Sequence, residues 1–217
     1  MKRLLPLLPV FFLFSCGALP VIQSSAVPLR EQSFTCPFPF LKKPYRLVQT
    51  IETRMAGKTR NVIIGVTLID PVSRSISCAV LTAEGMVLFE AASTPEELRV
   101  TRALPPFDSE SFAENMLEDI RLIFLEPQAK LQERGYLSSG ERVCRYLKAN
   151  GDRIDVIQTK ALKVEIKRYT SSGTLKRHIM FDKAEEDIYQ LIELRTSETM
   201  DYSLLMTLME AQPVNTP

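Results

Sequence analysis

The chain has 217 residues, of which 45% are hydrophobic and 24% are charged, an ordinary composition for a globular protein of one domain. Its 27 basic and 26 acidic residues nearly cancel, so the charge excess that attracts nucleic acid is missing and no nucleic-acid partner is expected. With one histidine and four cysteines, spaced unlike zinc ligands, no metal site is expected.

The first residues have the layout of a secretory signal peptide. Lys2 and Arg3 precede an apolar run from Leu4 to Phe14, about 11 residues, which is too short for a bilayer that needs roughly 20 in a helix. The run ends in Leu13-Phe-Ser-Cys16, which resembles the lipobox of bacterial lipoproteins. Two alternatives stay open: an ordinary signal peptide with an incidental Cys16, and an N-terminal membrane anchor.

The lipobox resemblance implies a lipid anchor at Cys16. In that family residues 1–15 are removed, the Cys16 thiol becomes a diacylglyceryl cysteine, and its new amine receives a fatty acid such as palmitate. Several acyl chains anchor stably, since each buried methylene contributes about 0.8 kcal/mol. Gly17 stands where Asp would imply retention in the inner membrane. The implied location is the outer membrane, with the domain facing the periplasm.

Residues 16–44 are predicted to be a proline-rich tether between anchor and domain. Such a segment would let the domain stand off the membrane by tens of ångströms. Its second half, Phe34 to Leu41, is apolar enough that we expect it to pack on the domain. Beyond Cys16 the chain has Cys36, Cys78 and Cys144. They can form one disulfide and leave one free thiol, but the sequence does not indicate which two pair. Alternatively, all three are small buried side chains.

Alternating patterns and turn residues predict strands on both sides of a helical region. Connections of a few residues predict an antiparallel meander of ten or eleven strands in a domain spanning 45–210, followed by a frayed tail at 211–217. The predicted strands are 46–54, 61–69, 75–81, 86–91, 97–104, 142–148, 153–158, 162–167, 174–181, 188–195 and 202–209.

An amphipathic helix is predicted to follow Pro105-Pro106. Asp108 or Ser109 can cap it, and its apolar stripe comprises Phe112, Met116, Ile120, Ile123 and Phe124. A short second helix is predicted from Pro127 to about Arg134. The stripe must be buried against the sheet. The predicted fold class is therefore mainly β with inserted helices (α+β), a curved antiparallel open half-barrel with a helical lid.

This arrangement resembles the LolA/LolB type of periplasmic lipoprotein carrier, and within it the LolB-like outer-membrane lipoproteins. The resemblance rests on the lipobox, on Leu81-Thr-Ala-Glu-Gly-Met-Val-Leu-Phe89, on Leu104-Pro-Pro-Phe107 before a helix ending Asp119-Ile-Arg-Leu-Ile-Phe-Leu-Glu-Pro127, and on Asp201-Tyr-Ser-Leu204. It implies an apolar cavity that accepts acyl chains beneath a helical lid. LolB proteins also carry an apolar residue on a protruding early loop, and here the turn Ala83-Glu-Gly85 offers nothing large and exposed.

Two sets of apolar residues are candidates for the cavity wall, and each is equally suited to a solid core. On the strand they are Val62, Ile64, Val66 and Leu68, and on the helix Phe112, Met116, Ile120 and Phe124. Alternation places the strand set on one face, which we expect to meet the helix, although the other face is also fairly apolar.

No catalytic residue and no cofactor are predicted. His178 is expected to face solvent on a strand, and the sequence has neither a nucleophile elbow nor a phosphate loop. The carboxylate groups Glu118-Asp119 and Glu185-Glu-Asp187, and the basic run from Lys163 to Arg177, are expected to be solvated. Two function classes follow: a carrier or acceptor of lipid or lipoprotein cargo, and a lipoprotein that assembles a cell-envelope complex with a periplasmic protein partner.

Overall fold

A computed structural model describes residues 19–23, 34–55, 58–159, 163–185, 188–197 and 202–214. The predicted signal peptide and Cys16 lie outside these ranges, as does Leu162. No helix among the described residues combines the length and hydropathy that crossing a membrane requires.

Twelve antiparallel strands form a single sheet, in which almost all neighbours in the sheet are also neighbours in the chain. The sheet order is β5-β4-β3-β2-β1-β12-β11-β10-β9-β8-β7-β6. The strands are β1 (Tyr45–Met55), β2 (Lys58–Asp70), β3 (Ser75–Leu81), β4 (Val87–Ser93), β5 (Leu98–Ala103), β6 (Lys130–Tyr136), β7 (Arg142–Leu147), β8 (Arg153–Gln158), β9 (Val164–Tyr169), β10 (Leu175–Glu185), β11 (Ile188–Thr196) and β12 (Tyr202–Pro213).

The sheet consists of two meanders that meet in the middle. Strands β1–β5 form one and β6–β12 the other, and the pairing of β1 with β12 joins them, for example Ile51 opposite Met206. Strands β5 and β6 are the two edges, so the sheet stays open. The predicted fold class, an open antiparallel half-barrel with a helical lid, is confirmed.

Helix α1 (Glu110–Phe124) connects the two edges across one face of the sheet, here called the inner face. Ser109 begins it as the N-cap, because its side-chain oxygen accepts a hydrogen bond from the Phe112 amide at 3.3 Å. Ala113 and Leu117 are almost fully buried in one core with Phe89 and Ile179. Burial of this stripe fixes the helix on the inner face.

The predicted second helix at 127–134 is wrong. Residues from Lys130 onward form β6 instead, and Gln128 and Leu131 are exposed. An edge strand is paired along one side and can carry polar side chains on both faces, so β6 lacks the alternation that marks the other strands. This strand is the twelfth, beyond the ten or eleven predicted.

Both described parts of the predicted tether pack on the domain. Phe40 and Leu41 enter the inner core, as expected, and the Leu41 amide donates to the Phe124 carbonyl at 3.0 Å. Residues 19–23, here called the docked segment, also pack, which contradicts a free tether over this stretch. Ile22 is buried with Val143 and Ile157, and Gln23 pairs with Tyr136 on β6.

The predicted frayed tail is wrong for residues 211–214. Ala211 and Pro213 belong to β12, opposite Leu47 and Tyr45, and the Val214 amide donates to the Pro44 carbonyl at 3.0 Å. The polar Gln212 does not look like part of a strand in the sequence. In the structure Gln212 lies opposite Arg46, on a partly exposed part of β1.

A disulfide joins Cys36 to Cys144 on β7, with the Cα atoms 5.7 Å apart. Cys78 is a free, buried thiol on β3, where burial raises its pKa to about 11. The sequence does not indicate which two cysteines pair; the structure brings Cys36 to Cys144 on β7.

Candidate functional site

The four β2 candidates lie on the outer face of the sheet, away from α1. Val62 and Leu68 are 55% and 41% exposed, whereas Ile69 is fully buried in the core that contains the helix stripe. The prediction that Val62, Ile64, Val66 and Leu68 meet the helix is therefore wrong. Both faces of β2 are apolar, so alternation identified the faces without indicating which one is inner.

The helix candidates do lie at the inner face, and three of the four are only half-buried. Phe124 is 7% exposed, while Phe112, Met116 and Ile120 pack at the border of the core. The most buried helix residues, Ala113, Leu117 and Ile123, form a stripe rotated slightly from the predicted one. The helix therefore leaves part of its apolar surface accessible.

Half-buried apolar side chains on both the helix side and the sheet side pack against the core. We call this set the apolar rim; it comprises Phe107, Phe112 and Met116 beside the lid, and Ile51, Ile63 and Leu204 on the sheet. The Phe112 ring lies 5.0 Å from that of Phe107 and 5.4 Å from that of Phe89, centroid to centroid. Ile51 faces Ile63 and fills the space left by Gly65, where a Cβ would lie 2.7 Å from Ile51 Cδ1.

Ion pairs hold the C-terminal half of α1. Asp119 accepts from Arg177 Nε on β10 at 2.9 Å, and Glu118 pairs with Arg168 Nη1 on β9 at 2.7 Å. Burial outweighs the attraction of Arg177 and raises the pKa of Asp119 to about 6. The prediction that Glu118-Asp119 and the basic run are solvated is thus wrong for Asp119, Arg168 and Arg177, because α1 crosses directly over these strands.

A cleft of about 520 Å³ runs beside the C-terminal half of α1. Its charged lining includes both signs, Glu118, Glu126, Arg74, Arg121 and Arg168 among them, while Leu122, Leu125 and Ile154 add apolar surface. Arg74 donates to the Glu126 carbonyl at 3.0 Å. This mixed lining differs from the apolar cavity that the lipid-carrier resemblance implies, and the apolar rim residues are not part of it.

His178 lies on the outer face of β10, as expected, although it is partly buried. Its Nε2 lies 2.9 Å from Glu165 Oε2, and the bonds from His178 and Lys167 lower the pKa of Glu165 to about 2. Among the described residues, no group of three or more His, Cys, Asp or Glu side chains is arranged to hold a metal ion. The side chains of Glu185-Glu-Asp187 lie outside the described part of the structure.

The tight turn between β3 and β4 carries a large exposed side chain that the sequence prediction overlooked. Met86 is 54% exposed directly after Gly85, whose φ of 88° lets the chain reverse there. The Met86 carbonyl accepts from the Thr82 amide at 3.0 Å. The expectation that this turn offers nothing large and exposed is therefore wrong, because it counted the turn only as far as Gly85 and left out Met86.

The sequence from residue 46 to 192 matches the family described as "Protein of unknown function (DUF3261)". The chain belongs to this family. No curated protein matches the sequence. The match spans β1 through most of β11, and so includes α1, both halves of the apolar rim except Leu204, and the ion pairs beneath the helix.

The fold of this family member is similar to that of a solved protein. The crystal structure of a LolA superfamily protein from Nitrosomonas europaea superposes with a TM-score of 0.55 at 10% identity, covering 82% of this chain and 89% of that one. The family member thus has a LolA-like fold. The narrower resemblance to LolB-like lipoproteins stays a prediction.

Proposed function

We propose that this protein is an outer-membrane lipoprotein, anchored through Cys16 and facing the periplasm, that binds or transfers a lipid or acylated cargo under α1 without covalent catalysis. The observation that carries the proposal is the apolar rim: half-buried apolar side chains of both the lid and the sheet pack against one shared core. The LolA-like fold supports it, because it places a helix over the inner face of an open sheet.

The two halves of α1 are fastened differently, which suggests where cargo enters. The C-terminal half is held by buried ion pairs such as Asp119–Arg177 and by the backbone bond from Leu41 to Phe124. The N-terminal half is held by the Ser109 cap and by aromatic packing of Phe112. Lifting the N-terminal half breaks apolar contacts that an acyl chain can replace, whereas lifting the other half breaks bonds between buried charges that an acyl chain cannot replace.

Cargo binding requires α1 to move, because the inner core is filled. Leu117 and Phe89 are fully buried, so an acyl chain must displace packed side chains. Each methylene that enters apolar surroundings contributes about 0.8 kcal/mol, so a chain of ordinary length gains enough to offset a partial lifting of the helix. Met116 at the rim suits a cargo of variable shape, since its thioether side chain adapts.

The test uses a soluble Cys16→Ala form exported on another signal peptide. We expect native mass spectrometry to detect co-purifying lipid, and a fluorescent fatty acid to bind with increased emission. Met116→Asp should weaken fatty-acid binding at least about tenfold, because a carboxylate would face the acyl chain. Val66→Asp, a half-buried outer-face change, is the matched control and should leave binding unchanged. Absence of both bound lipid and fatty-acid uptake would refute the proposal.

The second candidate function is a lipoprotein that assembles a cell-envelope complex without carrying cargo. It is favoured by the outer face of β2, where Val62, Ile64, Val66 and Leu68 form an apolar row with two exposed members. For this function Val66→Asp should abolish co-purification of a periplasmic partner, and Met116→Asp should leave it unchanged. The same two variants therefore separate the carrier from the scaffold.

A further inference from the structure

We infer that the docked segment holds one particular end of the sheet against the phospholipid headgroups of the membrane that anchors the chain. We call this end the tip; it consists of the β7–β8 turn (Lys148 to Asp152) and the β9–β10 turn (Thr170 to Thr174). The inference rests on the proposed anchoring at Cys16, and it adds an interaction surface and an orientation that the proposed function does not contain.

The docked segment begins at the tip. A Cβ at Gly173, in the β9–β10 turn, would lie 3.4 Å from Leu19 Cβ, in van der Waals contact. From there the segment crosses the outer face to the sheet edge, where the Gln23 amide donates to the Tyr136 carbonyl at 2.8 Å and the Tyr136 amide donates back at 3.1 Å. Leu19 therefore lies at the tip and Gln23 at β6.

The segment docks on a buried, specific site. Arg145 Nη2 donates to the Pro20 carbonyl at 2.9 Å, and the same guanidinium makes two 2.7 Å bonds to the Asp155 carboxylate. The side chains of Arg145 and Asp155 are 5% and 0% exposed. Ile22 is buried beside them with Val143 and Ile157. Undocking would leave the arginine short of a partner and expose Ile22, so the segment stays in place.

Chain length then limits how far the tip can be from the anchor. Leu19 is three positions after Cys16, and a fully extended chain advances at most about 3.6 Å per position, so the two Cα atoms lie within about 11 Å. An acylated Cys16 sits at the headgroup level of the bilayer. The tip is thus the part of the sheet that the anchor brings to the membrane, and the domain cannot stand off by tens of ångströms.

The tip has the chemistry of a surface that meets phospholipid headgroups. The two turns touch, since a Cβ at Gly151 would lie 3.1 Å from Ser171 Cβ. Exposed Ser171, Ser172 and Thr174 present hydroxyls that phosphate oxygens can accept from. The tip's carboxylate, Asp152, is buried and bonded to Arg168, so it does not repel anionic lipid.

The orientation also places the cleft. Lys148 begins the β7–β8 turn and lines the cleft together with Arg168 and Leu122. One end of the cleft therefore lies at the membrane-facing tip, while the β6–β7 turn, which contains Ser139, lies at the opposite end of the six-residue strand β7. Six residues of strand span about 20 Å, so the two ends differ clearly in distance from the bilayer.

The test exploits the absence of tryptophan from the whole sequence. Ser172→Trp places a single fluorophore at the tip, and Ser139→Trp, also in an exposed turn, is the matched control. The chain from residue 16 onward is coupled through the Cys16 thiol to a maleimide lipid in phosphatidylethanolamine/phosphatidylglycerol vesicles that contain nitroxide-headgroup lipid. Cys78 is buried and Cys36 is bonded to Cys144, so Cys16 is the thiol available for coupling.

We expect the nitroxide lipid to quench the tryptophan at 172 at least about threefold more than that at 139, given their separation of about 20 Å. A flexible insert of 20 Gly/Ser residues between Ala18 and Leu19, about 25 Å in average reach, should bring the two values together. Equal quenching without the insert, or unequal quenching that persists with it, would overturn the inference. Chemical coupling needs neither cellular acylation nor cargo, so this result is independent of the proposed function; the acyl content of cell-derived protein is measured separately by mass spectrometry.

Discussion

Asp119 on α1 and Arg177 on β10 form an ion pair at 2.9 Å, with side chains 11% and 7% exposed. The pair links the lid to the longer meander in an environment where neither charge is solvated. Charge pairs of this kind contribute less to stability than their geometry suggests, because each group loses its hydration on burial. Their effect is clearest when one member is removed, since the other then stays buried without the bond between them.

Asp119→Ala should lower the free energy of unfolding by about 3–5 kcal/mol, because Arg177 would stay buried and lose its 2.9 Å bond to this carboxylate. The double variant Asp119→Leu/Arg177→Met should regain most of this loss. Urea denaturation measures both. Glu210→Ala, which removes the exposed partner of Arg46, is the control and should cost less than about 1 kcal/mol. If the single and double variants were equally unstable, the charges would not be the cause.

Stability should depend on pH through Asp119. Burial raises the pKa of this carboxyl to about 6 in the folded protein, above its ordinary value near 4. The folded state thus holds the proton more tightly than the unfolded chain, and this group makes the free energy of unfolding fall as pH rises from about 4 to about 6. Asp119→Asn should remove that fall. Denaturation at intervals across this range tests it, and identical slopes in both proteins would contradict it.

Breaking the Cys36–Cys144 disulfide should destabilise the domain by about 4–5 kcal/mol in the chain-entropy account, because the bond closes a loop across 108 residues of sequence. Cys36→Ser/Cys144→Ser should therefore unfold at lower denaturant, and reductant should shift the wild type to the same midpoint. Cys78→Ala is the matched control, since it removes the free thiol and keeps the disulfide: its midpoint should shift with reductant as that of the wild type does. A wild-type midpoint insensitive to reductant would argue against the bond.

Gly135→Ala should dislodge the docked segment, because a Cβ there would lie 2.4 Å from the Gln23 carbonyl oxygen and 2.9 Å from Ile22 Cγ2. Amide hydrogen exchange at Gln23 and Tyr136 should accelerate. Gly140→Ala lies in the adjacent turn with nothing within 4 Å of its Cβ, and at a φ of 86° it introduces backbone strain alone. It should leave exchange at Gln23 unchanged; equal acceleration in the two variants would mean that general destabilisation, and not the clash, is responsible.

The sequence predicted most of this fold because most strands carry strong local signals. Ser75–Leu81 and Arg153–Gln158 have the predicted bounds, since turn residues flank a period-two pattern on both sides. Strand β6 was missed because Lys130–Tyr136 is largely polar and its pairing with β7 and Gln23 is a tertiary property.

The candidate site was less predictable, since it depends on which face of each strand turns inward. On β2 both faces are apolar, and only packing against α1 distinguishes Ile63 and Ile69 from Val62 and Leu68. Buried charges were equally hidden: Arg168 and Arg177 resemble surface residues until the helix brings Glu118 and Asp119 over them. Periodicity describes a single helix or strand, whereas the inward face of β2 and the buried ion pairs depend on how two elements pack together.

The pairing of β1 with β12 has a consequence for how the chain folds. Other neighbours in the sheet are hairpin partners close in sequence, whereas Tyr45 and Pro213 come from the two ends of the domain. The five-strand meander therefore has an unsatisfied backbone edge at β1 until residues 202–213 have been made. During synthesis that open edge is a template for wrong pairing until β12 is available. The last strand to be made completes the centre of the sheet.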